Sequence, residues 1–270
     1  MKIAVLMKQV PDTDEVKMDE ERGTMIRDGV GGIVNPLDLN ALEAARRIRR
    51  PGEAIEVLSM GPPKAEESLR ECLALGADRA VLATDTAFAG GDSWATSKVL
   101  VAALQKMGLP DLILAGEKAT DGETGQVGPE VAAILGLPFA THATRLERPP
   151  IGDGVEVDCT LEEGLLTQRL PLPCVVTVLS DINTLPLPTL SGKKRAYAHE
   201  IERLSAADLG LEPDAAGLKA SPTRVMRIER PKVARETEKY LAKRADELEA
   251  GLERIVTILE DASLIREVNR

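Results

Sequence analysis

Aromatic residues make up only 2% of the 270-residue chain, with one tryptophan, two tyrosines and two phenylalanines. Stacking platforms for single-stranded nucleic acid are therefore not available in number. Positive charge is also in deficit. Thirty-four Lys and Arg stand against 44 Asp and Glu, a formal net charge of −10. That balance argues against a general nucleic-acid binder. Cysteine is scarce, and Cys72, Cys159 and Cys174 form neither a CxxC pair nor a metal-ligand spacing. Scattered thiols suit a reducing compartment. No apolar run reaches the length of a bilayer span, and the first one, residues 3–7, is too short for a signal peptide. The expectation is a cytoplasmic protein with no membrane insertion and no metal. What remains is an ordinary globular composition, 43% hydrophobic and 29% charged. The length allows one large domain with an appendage.

The most informative stretch is 112–138. Leu112, Ile113, Leu114 and Ala115 read as a strand buried on both faces. A loop over 116–128 follows, with four glycines and almost no apolar side chains. Val131, Ile134 and Leu135 then return at helical spacing. Pro129 fits only a first helical turn, which puts the helix start within 125–128. A helix start preceded by glycines offers N–H groups and the positive dipole end to a phosphate. The plain alternative is a long βα connection capped by Asp121 or Thr124. Thirteen residues exceed the usual length of such a connection, which favours function.

Strand and helix patterns alternate before and around this stretch. Strands are predicted at 3–7, 54–60, 79–83 and 111–115. Helices are predicted at 39–50, 64–75 and 94–107, with Asp38 as a cap of the first and Gly76 ending the second. Such a repeat implies a parallel sheet with right-handed crossovers. No Gly-x-Gly-x-x-Gly follows the first strand, so the ordinary dinucleotide fingerprint is missing. Ligands of open α/β sheets sit at the carboxyl ends of strands, which makes Leu6 to Gln9, Leu6 and Lys8 among them, candidates for nucleotide contact. Beyond Pro138, short strand-like runs at 141–148, 155–160, 165–169 and 174–179 suit antiparallel hairpins. His142 reads as an ordinary strand residue. A helix from 231 to about 259 carries the stripe Leu241, Ala245, Leu248, Leu252, Ile255 and Leu259. It either folds back on its own domain or packs on a partner.

The loop at Gly116, Lys118, Ala119, Asp121, Thr124, Gln126, Gly128, Pro129 and Glu130 resembles the adenine-nucleotide loop of electron-transfer flavoprotein β subunits. The likeness covers roughly residues 1–200. It implies an α/β fold in which a parallel sheet with flanking helices carries an antiparallel extension and a C-terminal helical arm. The domains implied are 1–204, binding the nucleotide, and 205–270, a linker and an arm packing on the partner subunit. The implied cofactor is FAD, with AMP as the alternative in this site and a further FAD mainly in the α subunit. The residues implied to bind it are Leu6, Lys8, Asn35, Pro36, Leu37, Asp38 and Met60. They continue through Gly116, Glu117, Lys118, Ala119, Thr120, Asp121, Gly122, Glu123, Thr124, Gly125, Gln126 and Val127. The run from Asp121 to Glu130 sides with the electron-bifurcating branch of the family. The family's partner-recognition loop falls at about 181–200 and places Leu190 on an anchoring leucine, with Lys193, Lys194 and Arg195 beside it. There the chain lacks the family's second proline and Ile-Met pair. The resemblance implies a heterodimer with the α subunit and electron transfer between NADH or acyl-CoA dehydrogenases and a downstream acceptor. No residue reads as a catalytic acid, base or nucleophile. NADH oxidation would follow only from a bifurcating FAD. Two rivals stand beside this reading. Gly90-Gly91-Asp92-Ser93 resembles a defective ATP-pyrophosphatase loop, though a capped helix start explains it as well, and a nucleotide sensor of the stress-protein kind would be a plain binding module.

Overall fold

A computed structural model of the chain describes residues 1–12, 17–19, 24–26, 31–149, 152–226, 241–262 and 264. The chain divides into two compact units, 1–228 and 229–270. The first unit opens with β1 (Lys2–Met7), β2 (Gln9–Pro11), β3 (Lys17–Asp19), β4 (Thr24–Ile26) and β5 (Gly32–Val34). Then come α1 (Pro36–Ile48), β6 (Ala54–Met60), α2 (Glu66–Leu75), β7 (Arg79–Ala83), α3 (Ser93–Lys106), β8 (Leu112–Gly116) and α4 (Val127–Leu135). The chain continues with β9 (Phe139–Glu147), β10 (Val155–Leu161), β11 (Gly164–Leu170), β12 (Cys174–Val178), α5 (Leu190–Ala198), β13 (Glu202–Leu204) and the short α6 (Gly217–Ala220).

Nine strands form one sheet in the order β11-β10-β9-β12-β8-β1-β6-β7-β13. Every pair from β9 across to β13 is parallel, and β10 and β11 extend that edge antiparallel. The architecture is thus the α/β fold expected, with one correction. The strand at 174–178 is not part of an antiparallel run. It inserts parallel between β8 and β9. Its residues Cys174, Val175, Val176, Thr177 and Val178 are all buried, as a strand covered on both faces requires.

Alternation along β1 feeds two cores. Ile3, Val5 and Met7 point to one face, where α1 and α2 supply Leu42, Ala45, Leu69 and Leu73. Ala4 and Leu6 point to the other, where α3 and α4 supply Leu100, Leu104, Val131 and Ala132. Each fully buried aliphatic side chain contributes about 1.5–3 kcal/mol relative to exposure.

Two helix starts differ most from the sequence reading. α1 starts at Pro36, three residues early, because proline fits the first turn and its missing N–H costs nothing there. Asp38 is therefore inside the helix, not its cap. The C-terminal α7 (Ala245–Asp261) starts well after 231, since Arg244 is extended (φ −134°, ψ 160°). Leu241 lies before that helix, and 231–240 lie outside the described residues. Within α7, Leu248, Leu252 and Ile255 share one side and are exposed.

Candidate functional site

The chain leaves β1 for β6 and β7 on one side, then returns to β8 on the other side of β1. The β1/β8 boundary is therefore the topological switch point, where open α/β sheets leave a crevice outside the carboxyl ends of the strands. Asp38 closes the floor of this crevice. Its Oδ2 accepts from Lys8 N–H at 2.8 Å and its Oδ1 from Gly116 N–H at 2.9 Å, one at each strand end. The first turn of α1 presses so close that a Cβ on Gly116 would meet Leu37 Cβ and Asp38 Oδ1 at 2.6 Å. Only glycine fits there. Asp38 is buried, and loss of hydration pushes its pKa up to about 6 even though the Lys8 and Gly116 N–H groups, Asn35 and the Lys8 charge pull it down.

Asn35 is the second fastener. Its amide donates to Lys118 O at 2.9 Å and its Oδ1 accepts from Thr120 N–H at 3.3 Å, while its own N–H donates to Lys8 O. Lys8 Nζ donates to Asp121 Oδ1 at 2.5 Å. The loop over 116–126 is thus tied at three points, two to Asn35 before α1 and one to Lys8 after β1. Within it, Ala119 O accepts from Gly122 and Glu123 N–H groups, a tight turn that places Glu123 at φ 50°. Gly125 has φ 64°. Lys118 Nζ lies 3.9 Å from Glu123 Oε1.

Gln126 stands at the cap position before α4 and makes no side-chain cap. Gln126 Oε1 instead accepts from Ser93 Oγ at 2.9 Å. Ser93 and Ser97 also donate to the two oxygens of Glu130, at 3.0 and 2.9 Å. Gly128 packs on Thr177 of β12 so closely that a Cβ would collide with its methyl.

The structure therefore gathers Lys8, Asn35, Asp38, Gly116, Glu117, Lys118, Ala119, Thr120, Asp121, Gly122, Glu123, Gly125 and Gln126 at the carboxyl ends of β1 and β8. Thr124 is exposed on the same loop, and Val127 opens α4. Pro36 and Leu37 form the first turn of α1. Leu6 is core, 4% exposed on the α3/α4 face. Met60, at the carboxyl end of β6, packs on both the α3/α4 core and a small cluster around Phe88 and Ala206. Two neighbours of the loop escaped the sequence reading. Ser93 was read only as part of a helix start. His142 is not an ordinary strand residue. It sits at φ 57° on β9, with Nε2 3.7 Å from Glu117 Oε1.

The Gly90-Gly91-Asp92-Ser93 turn is a closed helix start. Asp92 accepts from Ala95 N–H at 3.0 Å and from both the N–H and hydroxyl of Thr223. The 181–200 segment is not a loop throughout. Thr189 Oγ1 accepts from Gly192 N–H and starts α5, which carries Leu190, Lys193, Lys194 and Arg195. Leu190 is 86% exposed. Arg195 turns back onto Leu73 O at 3.0 Å.

Among the described residues no helix is long and apolar enough to cross a membrane, and no group of three His, Cys, Asp or Glu is placed to hold a metal. The three cysteines are free and buried.

Residues 22–209 match the electron transfer flavoprotein domain. The chain is 46% identical over 230 residues to the caffeyl-CoA reductase–Etf complex subunit CarD of Acetobacterium woodii, covering 84% of this chain and 87% of that one. It is 41% identical over 257 residues to the electron transfer flavoprotein subunit beta of Thermoanaerobacterium thermosaccharolyticum, covering 94% and 98%. It is 40% identical over 238 residues to protein FixA of Azorhizobium caulinodans, covering 86% and 85%. With its parallel sheet, its fastened loop after β8 and these relatives, the chain belongs to the electron transfer flavoprotein family, as a member of the β-subunit type.

Proposed function

We propose that this chain is the β subunit of a two-subunit electron transfer flavoprotein, and that the crevice at the β1/β8 switch point holds FAD. The observation that carries this reading is the start of α4. A nine-residue helix opens at the end of a glycine-bearing loop, its cap residue Gln126 makes no side-chain bond to its N–H groups, and the loop itself is pinned to Lys8 and Asn35. Helix N-termini of this kind favour phosphate through N–H donors and the helix dipole. Gly122 supports a bulky ligand, because the nearest atom to a Cβ there is Lys8 Nζ at 4.0 Å. A diphosphate needs more donors than a single phosphate, and glycines at 122 and 125 let the backbone approach it closely.

The residues then divide the work. Asp38 holds the two strand ends at fixed separation. Asn35 sets the height of the loop. Lys8 and Lys118 supply positive charge among the carboxylates of Glu117, Asp121, Glu123 and Glu130. The N-terminal end of α4, at Val127 and Gly128, would receive the anion. When bound, FAD supplies hydride acceptance and single-electron transfer, and the protein supplies position and electrostatics. The carboxyl ends of β1 and β6, with Leu6 and Met60, would hold the nucleoside. AMP is the alternative occupant. Electrons would pass between NADH or an acyl-CoA dehydrogenase and a further acceptor, by bifurcation where the site holds FAD. The name of the Acetobacterium relative, a subunit of a reductase–Etf complex, supports a place in such an assembly. Exposed Leu190, with Lys193 and Lys194 on the same helix, supports docking of the redox partner there. The exposed side of α7 supports an arm that packs on the α subunit.

The test is to purify the chain with its neighbouring subunit, denature the complex and quantify the released nucleotides by chromatography. Two FAD per heterodimer is the expected result. One FAD with one AMP would reject FAD in this site, and no adenine nucleotide beyond a single FAD would reject nucleotide binding by this chain.

A further inference from the structure

Two described non-glycine residues adopt positive φ, and both border the same crevice: Glu123 within the loop and His142 on β9. The left-handed region is costly for an L residue, although histidine tolerates it better than most. β9 is an interior strand, and its register slips on both sides at this point. Against β12, Val176 pairs with Ala140 but Val178 pairs with Ala143. Against β10, Asp158 pairs with Arg145 but Cys159 pairs with Ala143. Bulges re-aim side chains and recur beside active sites. Here the double bulge leaves the His142 side chain 46% exposed, although Ala140 and Ala143 around it are buried. Nε2 faces the Glu117 carboxylate at 3.7 Å, and Glu117 is itself only 16% exposed. Glu117 in turn stands against Gly125, whose Cβ would lie 2.9 Å from Glu117 Oε1. The chain Gly125–Glu117–His142 thus extends the crevice past β12, on the side of the loop opposite Lys8 and Asn35.

We propose that His142 is a specificity-determining residue that contacts the half of the ligand beyond its phosphates, and so separates a dinucleotide from a mononucleotide. This rests on the nucleotide reading above. With the nucleoside over β1 and β6 and phosphate at α4, β9 lies two strand positions beyond β8, on the other side of the loop. Neighbouring strands are about 4.8 Å apart, so His142 stands roughly 10 Å beyond β8. A mononucleotide ends at the phosphates. The second half of FAD continues toward the imidazole. The Glu117 carboxylate stands 3.7 Å from Nε2, on one side of the ring, which leaves Nδ1 as the atom for a ligand hydroxyl or carbonyl.

The experiment uses the purified two-subunit complex, stripped of nucleotide and titrated separately with FAD and with AMP, for the wild type, His142→Gly and His142→Asn. Glycine and asparagine both accept the left-handed backbone, so thermal stability is expected to hold or rise. His142→Gly is expected to weaken FAD at this site about tenfold and to leave AMP affinity unchanged. His142→Asn is expected to recover part of the FAD affinity, through an amide near the Nδ1 position. Equal loss for both ligands, or no loss for either, overturns the proposal. So does a fall in melting temperature with both ligands lost, which would make His142 a structural residue. A wild-type complex that binds neither ligand beyond the partner's own FAD instead removes the nucleotide reading on which the proposal rests.

Discussion

Two strand-to-helix connections in this chain look alike on paper and end differently. Residues 84–92 lead into α3 through Gly90 and Gly91, and residues 117–126 lead into α4 through Gly122 and Gly125. At α3 the end is sealed. Asp92 caps Ala95 N–H, and the segment around Ser221 and Thr223 closes over it with three further hydrogen bonds to Asp92. At α4 the cap position makes no side-chain cap, and the bonds that hold the loop come from β1 and the start of α1. Glycine-rich sequence is thus no guide to a ligand site. What separates the two is whether the chain fills its own helix start.

The largest expected effect comes from cutting the fastener on the open side. Asp38→Ala strands the Lys8 and Gly116 N–H groups in a buried place, at about 1–3 kcal/mol each. The expected loss is about 3 kcal/mol in urea unfolding at pH 7, with nucleotide lost as well. An unchanged midpoint would mean that the two strand ends are held by something else.

Gly122→Val probes the open side without touching its frame. The position has no close neighbour, so stability is expected to hold while nucleotide affinity falls about tenfold, or roughly 1.4 kcal/mol. Unchanged retention would move the ligand away from the turn. Gly125 is a poorer probe, because its positive φ and Glu117 penalise any side chain there before a ligand arrives.

The two aspartates also differ in sign toward pH. Asp38 has a folded-state pKa raised to about 6, so its contribution to stability is fully present below its unfolded value of 3.8 and is lost as pH rises through 6. The gap between wild type and Asp38→Ala should widen by about 1 kcal/mol from pH 7 to pH 5. Burial alone would raise Asp92, but the bonds from Ala95, Thr223 and Ser221 hold it below its usual range. Its contribution is present above 3.8 and lost as pH falls through that depressed value. Asp92→Ala should therefore approach wild type on acidification below about pH 4. Parallel pH profiles for the two variants would erase the distinction.

Local signals carried much of the fold. The strands at Ala54–Met60 and Arg79–Ala83 and the glycine stop at Gly76 follow from apolar runs and punctuation, and the structure keeps those limits. The parallel pairing of Cys174–Val178 was not legible, because the run before it does form hairpins and only the sheet order shows where the last strand returns. Asp38 was read as a cap because capping is local. Its true partners lie 30 and 78 residues away. Pro36, a good first-turn residue, was the signal that could have moved the helix start. Ser93 meets the loop only through a partner 33 residues on. His142 carried no signal at all, since its backbone follows from two bulges set by neighbouring strands.

Amide hydrogen exchange on the two-subunit complex, as purified and after nucleotide removal, addresses the contrast between α3 and α4 most directly. Removing the ligand is predicted to speed exchange in 116–128 and at Asn35–Asp38, while 90–96 stays protected by Asp92 and its partners. Faster exchange at 90–96 with no change across 116–128 would place the ligand at the wrong helix and contradict the account.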